Sequence, residues 1–290
     1  MNRTSNHADL RELEVLTDQV RRQPTLLGFA KLVWQMVSLP LREPVGLLLA
    51  AVLVVLALWG GSGAVPLLGY VFDGWRPFED PTGRPNVLPG IAWDQEWIAY
   101  AIGVVLLVGV PCAVIKWGCK HDLRDYGLGL PERGRVRLSL FSATVLAVTS
   151  LPLFILSASD EAMQATYPLY RGPLEGLDFV FYELGYLLFF VVIEFVFRGL
   201  LLLGVANAGA RDARSQLDDE EGSLAIGFYA ILVATLVYTA WHVGKPTPEL
   251  LGTLVWGPVA GAVVLATRSI WPVVVVHWLL NVVLDGLLLA

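Results

Sequence analysis

Charge is scarce in this chain. Only 16% of its 290 residues are Asp, Glu, Lys or Arg, and 56% are apolar, whereas soluble domains carry about 25% charged residues. Histidine occurs four times and cysteine twice. Cys112 and Cys119 fall on one expected helix, separated by about 10 Å along its axis, too far for a disulfide, so both read as free thiols. Residues 1–23 are polar and hold no apolar core, so a cleavable signal peptide is not expected. No internal repeat is visible. The net charge of −6 comes from loops and tail that carry both signs, and nucleic acid is not an expected partner.

What the chain has in quantity is long apolar stretches. The mean hydropathy is +0.62, and uncharged runs of about 18 residues or more recur, the pattern of a multi-span membrane protein. The expected fold is all-α: a polytopic transmembrane helical bundle of about seven or eight spans with a short polar N-terminal tail. The seven clear spans are about 45–64, 97–115, 138–157, 177–208, 224–243, 250–267 and 270–289. A soluble helix is expected over 8–22 and an interfacial helix over Leu26–Leu41, which carries Lys31 and meets Pro40. Pro66 to Trp97 reads as an extramembrane loop. Three regions result: 1–44 as tail and interfacial helix, 45–174 as N-terminal spans and loops, and 175–290 as the functional core.

Polar groups inside such spans are costly, roughly 2.5–3.5 kcal/mol each at a helix centre, and are functional candidates by default. In the last four spans they are Glu183, Glu194, Arg198, His242 and His277. Asp178 and Asp285 lie near span ends and are expected to be wet; Glu183 also sits toward a surface. Glu194 and Arg198 are four residues apart on one helical face, as are Tyr238 and His242, and His277 and Asn281. Each pair alone has a structural explanation: an ion pair, a packed imidazole, an interhelical amide bond. Three such pairs in sequence suggest one site. A carboxylate there can take a proton from water while imidazoles and Asn281 polarise a carbonyl. Equally, Glu194, His242 and His277 can hold a divalent metal whose bound water attacks.

The ordered set Glu194-x-x-x-Arg198, Tyr238-x-x-x-His242 and His277-x-x-x-Asn281, with Gly257, Gly261 and Thr267-Arg268-Ser269 between the histidines, resembles the CAAX-protease and bacteriocin-processing (CPBP, or ABI) family of intramembrane proteases. The resemblance covers about residues 175–285. It implies an intramembrane endopeptidase of an integral membrane protein, in bacteria at the plasma membrane, acting on a peptide or lipidated protein in contact with membrane lipid. Carried over, it makes Glu194, Arg198, His242, His277 and Asn281 the catalytic set. One position departs. The family's first motif glutamate, its presumed base, is Ile193 here, and Tyr238 stands for phenylalanine. Three functions follow: a protease in which Glu194 is the base, a pseudoprotease or immunity protein that binds without cutting, and, with no repeat to favour it, a transporter.

Measured along straight spans from their inner ends, Glu194 comes out about 21 Å deep, His277 about 10 Å and His242 about 27 Å. On that ruler the span bearing His242 must start later or enter obliquely, or one histidine is secondary. Lys and Arg counts place the N-terminus inside, because the tail and the loop after the second span each hold six and the first and third loops two and one. Seven spans then put the C-terminus outside. Cysteines introduced at Ser5 and Ala290 are expected to react with an impermeant thiol reagent from opposite faces.

Overall fold

The computed structural model describes isolated residues between 15 and 31 and the stretches 44–60, 101–131, 133–169, 174–207 and 220–290. The expected N-terminal helices are represented only by isolated residues, and the loop 66–97 falls outside the described residues. Two units are distinguished, Met1–Ala51 and Val52–Ala290. Helix α1, Pro44–Gly60, begins in the first.

In the second unit the helices are α2 (Ala101–Gly118), α3 (Arg133–Ser157) and α5 (Leu177–Asn207), with the short α4 (Glu161–Thr166) between α3 and α5. They continue as α6 (Glu220–Trp241), α7 (Thr247–Thr267) and α8 (Trp271–Leu289). There is no strand among the described residues. Hydrocarbon offers backbone groups no partner, so apolar segments must satisfy their own N–H and C=O groups, which a helix does. Five of these helices, α2, α3, α5, α7 and α8, are long and apolar enough to cross a membrane. Every expected span coincides with a described helix, although α1 and the apolar part of α6, Gly227–Trp241, are shorter than a full crossing. The chain is an all-helical integral membrane protein.

Helix α5 is the axis of this unit. In its most apolar window 78% of residues are buried, against 22% in α2 and 11% in α3. Helix α8 packs on α3 and α5, α7 packs on α6 and α3, and α6 packs on the second half of α5. The outer faces of α2 and α3 carry exposed Val105, Val110, Leu140, Phe141, Val148 and Leu156, as lipid-facing surfaces require. The second half of α5, Phe195–Leu203, is π-helical. Such stretches are rare and concentrate at functional sites.

Two short tethers set the levels of the helix ends. Arg268 Nη2 donates to Asn207 Oδ1 at 2.7 Å, and Asn207 Nδ2 donates to the Asp125 carbonyl at 2.6 Å. Beside them, the Ser269 hydroxyl donates to the Gly129 carbonyl at 2.8 Å and Trp271 Nε1 to that of Leu128 at 3.1 Å. The Thr267-Arg268-Ser269 sequence therefore pins the end of α5 and the start of α8 to one loop. Prolines at the first turns of α7 and α8, Pro248 and Pro272, suit positions where no backbone donor is needed.

Close helix approach depends on Gly199 and Gly257. A Cβ at Gly199 would lie 2.7 Å from both the Tyr126 carbonyl oxygen and the Phe195 ring, and one at Gly257 would lie 2.7 Å from Thr235. The glycine after Arg198 thus lets the loop backbone touch α5. Replacing Gly199 by Ala should cost about 1–3 kcal/mol through overpacking. Thermal unfolding of detergent-purified protein should fall by several degrees, while Gly134→Ala, where nothing lies within 4 Å, should leave it unchanged.

Candidate active site

Glu194 closes the regular part of α5, and its side chain is fully buried. A bare carboxylate there would be prohibitively costly; it survives by pairing. Arg198, one turn on, places Nε 3.2 Å from Glu194 Oε2. The other oxygen, Oε1, lies 2.7 Å from His277 Nδ1 on α8. Because a carboxylate can only accept, Nδ1 donates and the ring is fixed with Nε2 as its remaining polar atom. Phe190 and Trp256 hold the imidazole from the sides, with ring centroids 4.3 and 4.7 Å away.

Arg198 has its terminal nitrogens without a hydrogen bond among the described residues. Its guanidinium lies instead over the Tyr238 ring, 4.1 Å from the centroid, a cation–π contact strengthened by desolvation. This explains an aromatic residue at 238 and why tyrosine serves there: the face of the ring is what Arg198 uses. Tyr238 also packs edge-on against His242, with centroids 4.4 Å apart, so the first and second motifs share one aromatic surface.

His242 lies just past the last residue of α6, in the turn leading to α7, rather than inside a span as its sequence position suggested. Its Nδ1 is 2.8 Å from the Tyr238 carbonyl and must donate to it. Its Nε2 is 3.4 Å from Glu249 Oε1. Burial, with the Lys245 ammonium next, holds this imidazole well below its ordinary pKa.

Asn281 donates from Nδ2 to Asp285 Oδ2 at 3.1 Å, and its side chain also meets the Glu183 carboxyl. Asp285, expected to be wet, is instead fully buried, and Glu183 is buried at 2% exposure and interacts with it. The error has a physical source: the α8 end that carries Asp285 packs against α3 and α5 rather than emerging into water. Asp178, by contrast, is exposed as expected.

These groups meet at a cavity of about 130 Å³, room for several waters. His242, Lys245, Glu249, His277 and Asn281 form its polar end; Leu153, Phe154, Phe189, Val255 and Leu284 line an apolar remainder. Ile193 is in the wall, while Glu194 and Arg198 stand behind it. The structure therefore brings Glu194, Arg198 and His277 into one chain of contacts, and His242, His277 and Asn281 to one cavity. Glu194 and His277 meet despite the straight-helix depth difference, and the nine π-helical residues after Glu194 account for only part of it.

Glu249 and its partner Lys245 were not expected at the site. Glu249, one residue before the expected start of its span, looks like an ordinary acidic first-turn residue. It accepts instead from Lys245 Nζ at 2.9 Å and from the Tyr167 hydroxyl at 2.7 Å. The usable signals were the four-residue spacings Lys245–Glu249 and Asn281–Asp285. The metal alternative does not fit: among the described residues no three His, Cys, Asp or Glu side chains are grouped to hold an ion. Neither Cys112 nor Cys119 is in a disulfide.

Fold and site together define a polytopic membrane protein with an acid–base constellation at an internal cavity. Residues 176–283, the segment that carries all three motifs, match the family described as Type II CAAX prenyl endopeptidase Rce1-like. No curated protein and no solved structure matches the chain.

Arg198→Ala would leave the Glu194 carboxylate without its cation in a dry site, with His277 and the Trp256 side chain as remaining polar partners. That should destabilise the protein by about 3–5 kcal/mol, read as a large drop in unfolding temperature. Tyr238→Phe, which keeps the ring face, should shift it little.

Proposed function

We propose that the protein is an intramembrane endopeptidase that hydrolyses a peptide bond with water held in the α5–α8 cavity. The observation that carries this reading is the 2.7 Å contact between Glu194 and His277. It presents one imidazole to the cavity with its far side committed to a carboxylate, and that carboxylate is held by Arg198. Glu194 acts through His277 in this reading, since it does not line the cavity itself. Positive charge on the His277 ring is stabilised by Glu194, so Nε2 can donate to a substrate carbonyl as it becomes an oxyanion. Asn281, oriented by Asp285, offers a second donor from the same helix. Arg198 positions Glu194. His242 stands across the same cavity as a neutral imidazole able to accept a proton.

The substrate class follows from the cavity's two ends. A polar end that can polarise one carbonyl adjoins an apolar chamber, which suits a peptide carrying a lipid group or an apolar helix entering from the bilayer. Plasma-membrane location and membrane lipid as a partner belong to this proposal. No feature of the site suits nucleic acid. A second reading has one specific observation in its favour: Ile193 in the cavity wall puts an alkyl group where relatives carry a carboxylate, as a binding protein without cleavage would.

The test is cleavage of prenylated C-terminal peptides and of apolar helical substrates by purified protein in lipid. Wild type should turn over, and Glu194→Gln, His242→Ala and His277→Ala should each lower turnover by about 10²–10⁴-fold while the proteins remain folded. Binding of these substrates without cleavage by wild type would establish the pseudoprotease instead.

A further inference from the structure

Glu249 is the one carboxylate among the described residues that line the cavity. Three contacts fix it, two from the turn before α7 and one from the segment after α4. Lys245 in the turn before α7 and Tyr167 after α4 hold its two oxygens at 2.9 and 2.7 Å, and His242 approaches Oε1 at 3.4 Å. The last contact is chemically informative. His242 Nδ1 is committed as a donor to the Tyr238 carbonyl, so the neutral ring has only a lone pair at Nε2. A second positive charge beside the Lys245 ammonium in this buried turn is disfavoured, consistent with the lowered pKa of the ring. Two acceptors therefore face each other with no proton between them. Such a pair is mutually repulsive unless a donor with two hydrogens serves both, which is the chemistry of a water molecule, and the cavity has room for one.

We propose that Glu249 and His242 together hold and deprotonate the attacking water, so that Glu249 from α7 supplies the cavity carboxylate in a chain whose motif position 193 is isoleucine. This rests on the hydrolytic reading above and adds to it a catalytic residue outside the three motifs. One water hydrogen points to Nε2 and the other to Oε1. As the water oxygen bonds to the substrate carbonyl carbon, the first proton moves to Nε2. The imidazolium so formed is neutralised by the carboxylate already 3.4 Å away, and the carbonyl electron pair becomes the oxyanion facing His277 and Asn281. When the C–N bond breaks, the same proton passes from Nε2 to the leaving nitrogen. One water and one amide yield one carboxylic acid and one amine, and both side chains return to their starting states.

The division of labour follows from environment. His277 has a carboxylate on Nδ1, the partner that suits it to the polarising role. His242 has a neutral carbonyl on Nδ1 and a lysine nearby, so it starts neutral. Two like groups set apart by their surroundings are the usual mark of opposite acid–base duties.

The experiment measures kcat and KM for peptide cleavage by full-length protein in lipid, with and without hydroxylamine, a nucleophile that attacks without first losing a proton. Glu249→Gln should lower kcat by about 10²–10⁴-fold with KM within about threefold. Hydroxylamine should restore product formation, now as the hydroxamate, in Glu249→Gln but not in His277→Ala, which lacks the polarising side. Should Glu249→Gln fold poorly, Glu249→Asp should show the same kcat-selective, hydroxylamine-sensitive loss on a smaller scale. An active wild type with Glu249→Gln unchanged, or with a loss that hydroxylamine does not restore, overturns the role of Glu249 and leaves the endopeptidase reading standing. A wild type that cleaves no substrate overturns both.

Discussion

A buried carboxylate with no access to water constrains everything around it. Glu194 sits fully enclosed in the central helix, and a charge in that position persists only if each of its oxygens is answered. Arg198 answers one and His277 the other. Arg198 in turn is a buried cation whose remaining valence is met by the Tyr238 ring. Gly199 follows because the helix here is pressed against the loop backbone at Tyr126. The motif residues are thus linked by one electrostatic requirement propagated through three helices, and the aromatic face, the glycine and the ion pair are parts of the same solution.

That requirement also fixes what Glu194 can do. A carboxylate engaged on both sides and absent from the cavity wall does not contact a reacting water; its influence reaches the cavity as an oriented, charge-stabilised His277. The groups that do contact the cavity are His242, Glu249, His277 and Asn281. In the proposed reaction they divide into a polarising side on α8, backed by Glu194 and Asp285, and an accepting side formed by His242 in the turn before α7 and Glu249 in its first turn, backed by Tyr167 and the Tyr238 carbonyl.

The helical class, the positions of the spans and the pairing of Glu194 with Arg198 were legible from apolar run length and four-residue spacing, since both are local properties of a helix. The relation of His277 to Glu194 was not. Straight-helix bookkeeping separated them in depth, whereas the packing of α8 on α5 brings them together. His242 was assigned to a span, yet α6 ends one residue earlier, which frees its ring to face Glu249. Asp285 was read as wet because it lies near the chain's end, whereas burial depends on what packs over a helix terminus. Glu249 resembled a capping residue because helix starts attract acids for reasons unrelated to chemistry. In each case the missing quantity was a relation between elements, which residue spacing within one element does not carry.

Glu194 is proposed to work through His277 and not on water. A double-mutant cycle in kcat addresses it most directly, using Glu194→Gln, His277→Ala and the pair in protein verified as folded. If the two act as a unit, their effects are non-additive and the double variant turns over no more slowly than His277→Ala alone. Losses that multiply, with Glu194→Gln costing as much in the His277→Ala background as in wild type, would show that Glu194 acts independently and would contradict the account.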